Sequence, residues 1–174
     1  MKTSFSLIPF LIYLSLTSHA HAALRAGAMV VDATPKQLPV HVNGGMRQRE
    51  LNEVGSPIPV RAITLDDGNT QLAIVVVDSC MMSRAFLDEA KLAASKKSGI
   101  RPDKMFINAT HTHTAPASMG CLGTDVDPRY PFLLKRKIVE AINGAKKNME
   151  PARVGSAVFD ANEFTAVRRW IKRP

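Results

Sequence analysis

Two histidines one residue apart, His111 and His113 in the segment FINATHTHTAPASMGCLG (residues 106–123), are the residues whose type and spacing point most directly to chemistry. In an extended backbone residues i and i+2 point to the same side, so the pair can present both imidazoles to one metal ion. Zinc takes neutral imidazole nitrogens, and three protein donors with one position left open make a catalytic site. Asn108 and Asp78 are candidates to orient the rings from outside, and the neighbouring threonines can fix rings or backbone. An isolated His-x-His pair is also compatible with ordinary hydrogen-bonded surface structure, so the pattern needs context. The His-x-His-x-Asp-His arrangement of one group of zinc hydrolases is not met, because Ala115 and Pro116 stand where Asp and His belong. A (β/α)₈ amidohydrolase would carry its pair on the first barrel strand, whereas several strands precede this one.

The supply of further imidazoles is small. The chain opens with Lys2, the apolar run FSLIPFLIYLSL and the small-residue ending TSHAHA, the pattern of a secretory signal peptide with cleavage expected after Ala22. The run is shorter than the ~20 residues needed to span a bilayer, and no later stretch reaches that length. No transmembrane segment is therefore expected after cleavage, and the mature protein is expected to be secreted or periplasmic. Of the five histidines, His41, His111 and His113 remain. His41 lies beside a Pro- and Gly-rich stretch and reads as a loop histidine in water.

About 150 mature residues, with 45% of the whole sequence hydrophobic, suffice for a single domain with a real core. The net charge of +8 is dispersed apart from KRK (135–137), AKK (145–147) and the terminal RRWIKRP. Nucleic-acid modules combine a basic stripe with a recognisable motif, and neither is present, so no nucleic-acid partner is expected. Cys80 and Cys121 each follow an expected strand. In an exported chain they can form a disulfide or remain two buried thiols, and the sequence leaves both open.

The elements that must position the histidines follow from periodicity. A strand is expected over about 26–32, closed by Thr34 and Pro35, followed by a loop-like stretch through VNGGMRQRELNEVGSPIP. PVRAITLDD and TQLAIVVVD flank DGN and predict an antiparallel hairpin. The second member is apolar from Leu72 to Val77, as in a strand covered on both faces. Ser83 can cap a helix running to about Lys97, with Gly99 beyond its end, and KMFINAT predicts a strand leading into the histidines. Asp127 as N-cap and Pro128 at N1 predict a second helix, with Leu134, Ile138, Ala141, Ile142 and Ala145 on its buried face. ARVGSAVFDA predicts a closing strand. This order indicates an α/β fold, a mixed sheet with crossover helices. Asp78 and His111 end strands that precede helices, the place where open α/β sheets bind ligands.

Taken together, LRAGAMVVDATP, PVRAITLDDGNTQLAIVVVDSC, FINATHTHTAPA and NEFTAVRRW resemble the N-terminal part of the neutral/alkaline (non-lysosomal) ceramidase family, whose hallmark is a Thr-His-Thr-His-Ser-Gly-Pro segment. The resemblance spans nearly the whole mature chain and is most specific in ATHTHTAPA. It implies a zinc-dependent amidase that cleaves the N-acyl bond of ceramide or a related lipid amide. It also implies that His111 ligates zinc and that His113 lies in the active site beside the substrate. Thr114 and Ala115 replace the family's Ser and Gly, and Val167 stands where relatives tend to carry Asn. Family members are much longer, with a second zinc histidine, an acidic ligand, a tyrosine ligand and the serine nucleophile further along. Residues 23–174 are therefore expected to be an incomplete part of a ceramidase-type domain, inactive by themselves. The alternative is a noncatalytic exported α/β module that binds a lipid-like ligand or a partner protein.

Overall fold

The structure, a computed structural model, describes residues 24–164. The expected signal peptide at 1–22 and the Val167 position lie outside the described residues. The fold is α/β, built on a mixed five-stranded sheet with two helices. In chain order the elements are β1 (Arg25–Asp32), β2 (Val40–Val42), β3 (Arg49–Leu51), β4 (Pro59–Asp66), β5 (Gln71–Val77), α1 (Arg84–Ser98), β6 (Met105–Ala109), α2 (Tyr130–Lys147) and β7 (Glu150–Pro151). The sheet order is β6-β5-β4-β1-β7, and β2 pairs with β3 in a separate two-stranded ribbon.

The β4–β5 hairpin forms where Asp67 and Gly68 predict it, with Asp67 Oδ1 accepting from the Asn69 and Thr70 amides and Gly68 at φ 86°. The α1 crossover then places β6 parallel to β5, from Ala73 opposite Met105 to Val77 opposite Ala109. Ser83 caps α1 by accepting from the Phe86 amide, and Gly99 ends it in the left-handed conformation. α2 starts at Tyr130, later than expected, yet Asp127 still accepts from the Arg129 and Tyr130 amides as an N-cap does. Leu134, Ile138, Ala141, Ile142 and Ala145 are all buried, packed with α1 against Val60, Val75 and Val77 of the sheet.

Three expectations are corrected. Residues 152–161 do not form a strand, because β7 runs antiparallel to β1 and leaves it at once. Arg25 pairs with Pro151, Ala152 donates to the Leu24 carbonyl, and the chain then passes the start of β1. The second crossover accordingly returns antiparallel. β5 is not covered on both faces among the described residues: Ala73, Val75 and Val77 are buried under the helices, while Leu72, Ile74 and Val76 share an open face with Ile63 and Phe106. The 40–51 stretch is not all loop. His41 sits in β2, opposite Glu50 of β3, half-buried and 3.4 Å from that carboxylate.

Candidate metal centre

The β5–β6 ladder does not stop at the strand ends. Thr110 N–H donates to the Val77 carbonyl and His111 N–H to the Ser79 carbonyl, both at 3.0 Å, so the segments after the two parallel strands stay side by side. This brings Cys80 against His111. Ser118 Oγ donates to the Met81 carbonyl at 2.6 Å and lies 3.3 Å from Ser79 Oγ. Both neighbours of Cys80 are thereby held, and the residue is only 2% exposed.

His111 has φ 64°, the left-handed region, so the chain turns there instead of continuing as a strand. The two histidine rings meet through this turn, not through the alternation of an extended backbone. Their centroids are 4.9 Å apart with the planes at 80°, and the two Nε2 atoms are 3.4 Å apart. His111 Nδ1 lies 2.8 Å from the Cys80 carbonyl oxygen. A carbonyl can only accept, so Nδ1 carries the proton and Nε2 keeps its lone pair. This is the tautomer and the backbone anchor that metal-ligating histidines use.

His113 is seated from the ribbon side. Arg49 donates to its carbonyl oxygen at 2.8 Å. Gly44, at φ 105°, lies so close that a Cβ built on it would fall 2.4 Å from both Cβ and Cγ of His113. The bridge between Val42 and Pro116, and the Ala117 N–H bond to the His41 carbonyl at 2.7 Å, tie the histidine segment to β2. Gly44→Ala is therefore expected to displace His113 and to strain the backbone by about 1–3 kcal/mol. Zinc affinity should fall about tenfold or more, measured by titration against a chromophoric chelator. An unchanged affinity would show that the seat of His113 does not matter.

Cys80 Sγ, His111 and His113 offer donor atoms that all lie within 4.8 Å of one another, with Sγ 3.9 Å from His111 Nδ1. Two Zn–N bonds of 2.0–2.1 Å at a tetrahedral angle separate their nitrogens by about 3.3–3.4 Å. The Nε2 pair matches that spacing, so these side chains fit a zinc ion. Burial pushes the Cys80 thiol pKa up, and Cys121 adds in the same direction. Cys80 and Cys121 are free thiols, not a disulfide.

The other candidates stand apart from this group. Asp78 pairs with Arg61 at 3.0 Å. Asn108 lies in the same row as Arg61 and Val76, on the open face of the sheet. The Cys80 carbonyl takes the orienting place suggested for them. Thr112 and Thr114 hydrogen-bond to each other at 3.1 Å and, with Asp78, Val42 and Pro116, line a cleft of about 500 Å³. Cys80 and Gly44 were missed by sequence reasoning. The strand-end rule that selected Asp78 stopped two residues short of Cys80, and Gly44 gave no signal beyond its place in a glycine-rich turn.

No protein-family model matches the sequence, and no curated protein matches it either. Solved structures do match. The neutral ceramidase from Pseudomonas aeruginosa aligns with a TM-score of 0.67 and 18% identity over 75% of this chain and 22% of that one. A ceramidase complexed with C2 aligns with a TM-score of 0.65, also at 18% identity and with the same coverage. The chain thus spans about a fifth of the length of these proteins, and at that identity the likeness is one of fold.

Proposed function

We propose that residues 23–174 carry the zinc-binding histidine segment of a ceramidase-type amidase, exported behind the signal peptide at 1–22 to the periplasm or the medium. The substrate class is a lipid amide cleaved at its N-acyl bond. The observation that carries this reading is the His111 geometry at the end of the parallel β5–β6 pair, with Nδ1 fixed on the Cys80 carbonyl and Nε2 facing His113. The ceramidase fold of the matched structures supports it. Among the described residues no helix is long and apolar enough to cross a membrane, which is compatible with export.

In this reading His111 is the metal ligand and His113 the catalytic residue. Zinc, when bound, supplies the Lewis acidity that polarises an amide carbonyl. His113, seated by Gly44 and Arg49, can donate a hydrogen bond to the substrate oxygen and hold it in place while charge develops.

The test is zinc content after dialysis, together with hydrolysis of a fluorescent ceramide with added zinc and with a chelator. The wild-type chain is expected to retain zinc and the His111→Ala variant to lose it. Equal zinc content in the two proteins would sink the metal assignment. Turnover abolished by the chelator would make the chain an amidase in its own right. Bound zinc without turnover would fit the noncatalytic module, which awaits the remaining ligands or acts only in binding.

A further inference from the structure

We infer that the cleft between α2 and residues 32–40 binds a small amphiphilic anion, a carboxylate or phosphate head on an aliphatic body. The inference goes beyond the amidase reading and depends on no metal.

The cleft begins with a stripe on α2. Arg129, just before the helix, and Phe132, Leu133, Arg136 and Lys137 follow one another at i, i+3, i+4, i+7 and i+8, the spacing of one helical face. Leu134 and Ile138 lie on the neighbouring face, buried against the sheet. The stripe meets residues 32–40 instead, and Arg129 spans the gap, donating to the Pro39 carbonyl oxygen at 2.6 Å and to Gln37 Oε1 at 3.3 Å. Helix and segment frame about 620 Å³, within the range of small-molecule pockets.

Charge comes next. Four cations line the cleft, Lys36, Arg129, Arg136 and Lys137, against two carboxylates, Asp32 and Asp127, an excess of two positive charges. Both carboxylates are taken up by local donors. Asp127 accepts from the amides of His41, Arg129 and Tyr130, and Asp32 from the Thr34 amide and hydroxyl. Lys137 pairs with Glu140. Lys36 and Arg136 are exposed and have no ion-pair partner among the described residues, so their charges are left for a ligand. Guanidinium and ammonium groups placed together in this way suit a carboxylate or a phosphate.

The rest of the lining selects the body of the ligand. Pro35, Val40, Phe132 and Leu133 supply an apolar wall beside the charges. Phe132 is 67% exposed, so most of its ring is left to water. Tyr130 also lines the cleft; it is 1% exposed, and its hydroxyl has no hydrogen-bond partner among the described residues. Buried polar groups are normally paired, and an oxyanion head is rich in the acceptors this donor lacks. An inorganic anion would leave the apolar wall wet, and a neutral amphiphile would leave the cations unmatched. An anionic head on an aliphatic body satisfies both.

The test is calorimetric titration of the full 174-residue chain with decanoate and with decyl phosphate, each below its micelle concentration, beside decanol and inorganic phosphate. One of the two anionic amphiphiles is expected to bind about tenfold or more tightly than decanol and inorganic phosphate, and the tighter of the two names the head group. Replacing both exposed cations, Lys36→Gln with Arg136→Gln, should weaken that binding about tenfold or more. Phe132→Ser should weaken it as well. An oxyanion head can also ligate a metal, so the titration is repeated with excess chelator, where the affinity should be unchanged. No binding by either amphiphile, decanol or inorganic phosphate bound as tightly, or an affinity untouched by the double substitution would overturn the inference. Binding lost with the chelator would place the anion on a metal and overturn it too, while leaving the His111 reading intact.

Discussion

The Gly27→Ala chain is expected to unfold at much lower urea than wild type, with a loss of about 3 kcal/mol or more, the upper end of what overpacking costs. Gly27 lies in β1 under the C-terminal end of α2. A Cβ added there would sit 2.0 Å from the Ala145 carbonyl oxygen, 2.8 Å from the Met149 nitrogen and 2.9 Å from the Asn148 carbonyl carbon. All three atoms are backbone, so no rotamer change relieves the clash. The helix end must lift, and Ala145 and Ile142, both buried, would lift with it. For a domain whose whole stability is about 5–15 kcal/mol, that is a large share. Gly144 is the internal control. Its added Cβ would meet Met29 Cγ at 2.7 Å and Met29 Cβ at 3.3 Å, side-chain atoms that must shift but that, unlike the backbone at Gly27, can do so through a rotamer change. In mid-helix, the propensity advantage of Ala over Gly, up to about 1 kcal/mol, offsets part of that cost, so Gly144→Ala should lose much less than Gly27→Ala. Urea midpoints followed by circular dichroism decide the pair. Equal tolerance at both sites would mean that the α2 terminus is not packed on β1 as described.

The same contact explains part of what was legible in the sequence. Periodicity located α2, where Leu134 and Ile138 recur with the helical period on one buried face, whereas α1 was legible from its caps, β5 from its apolar run and the β4–β5 hairpin from the DGN turn. Capping residues were legible for the same reason, since Ser83, Gly99 and Asp127 act on backbone groups within a few residues. Long-range events were not. That β7 would leave β1 after two residues depends on register, which no local pattern in ARVGSAVFDA encodes. Nor does the apolar run of β5 say whether a second layer covers it. Leu72 and Ile74 share the open face with Phe106, which is 63% exposed.

At the candidate site the histidine spacing was visible, but the reason the rings meet was not. Alternation along a strand would have brought them together with the backbone extended. The turn at His111 does it instead, and a positive φ at a non-glycine residue leaves no mark in the sequence. Cys80 joins the group through pairing of the segments after two parallel strands, a contact between residues 31 apart.

Because His111 occupies the left-handed region, two substitutions that both remove the imidazole should differ in stability in the direction opposite to the usual one. His111→Gly is expected to be more stable than His111→Ala by about 1 kcal/mol, since Ala keeps the steric penalty of φ 64° and Gly does not. That net figure already includes the offset of about 0.4–1 kcal/mol from the greater freedom of Gly in the unfolded chain, because the left-handed region costs Ala about 1–2 kcal/mol. Against wild type, both lose the Nδ1 bond to the Cys80 carbonyl, an interaction worth about 1 kcal/mol. Neither should retain zinc in the proposed site, because the free Nε2 is gone in each. The measurements are urea midpoints and zinc content for the three proteins. If Ala proves at least as stable as Gly, the turn at His111 is not left-handed and the approach of the two rings loses its cause. If Gly is the more stable of the two variants and both have lost zinc, wild-type His111 holds a strained backbone in place for its ring, and the stability cost of that strain is tied to metal binding.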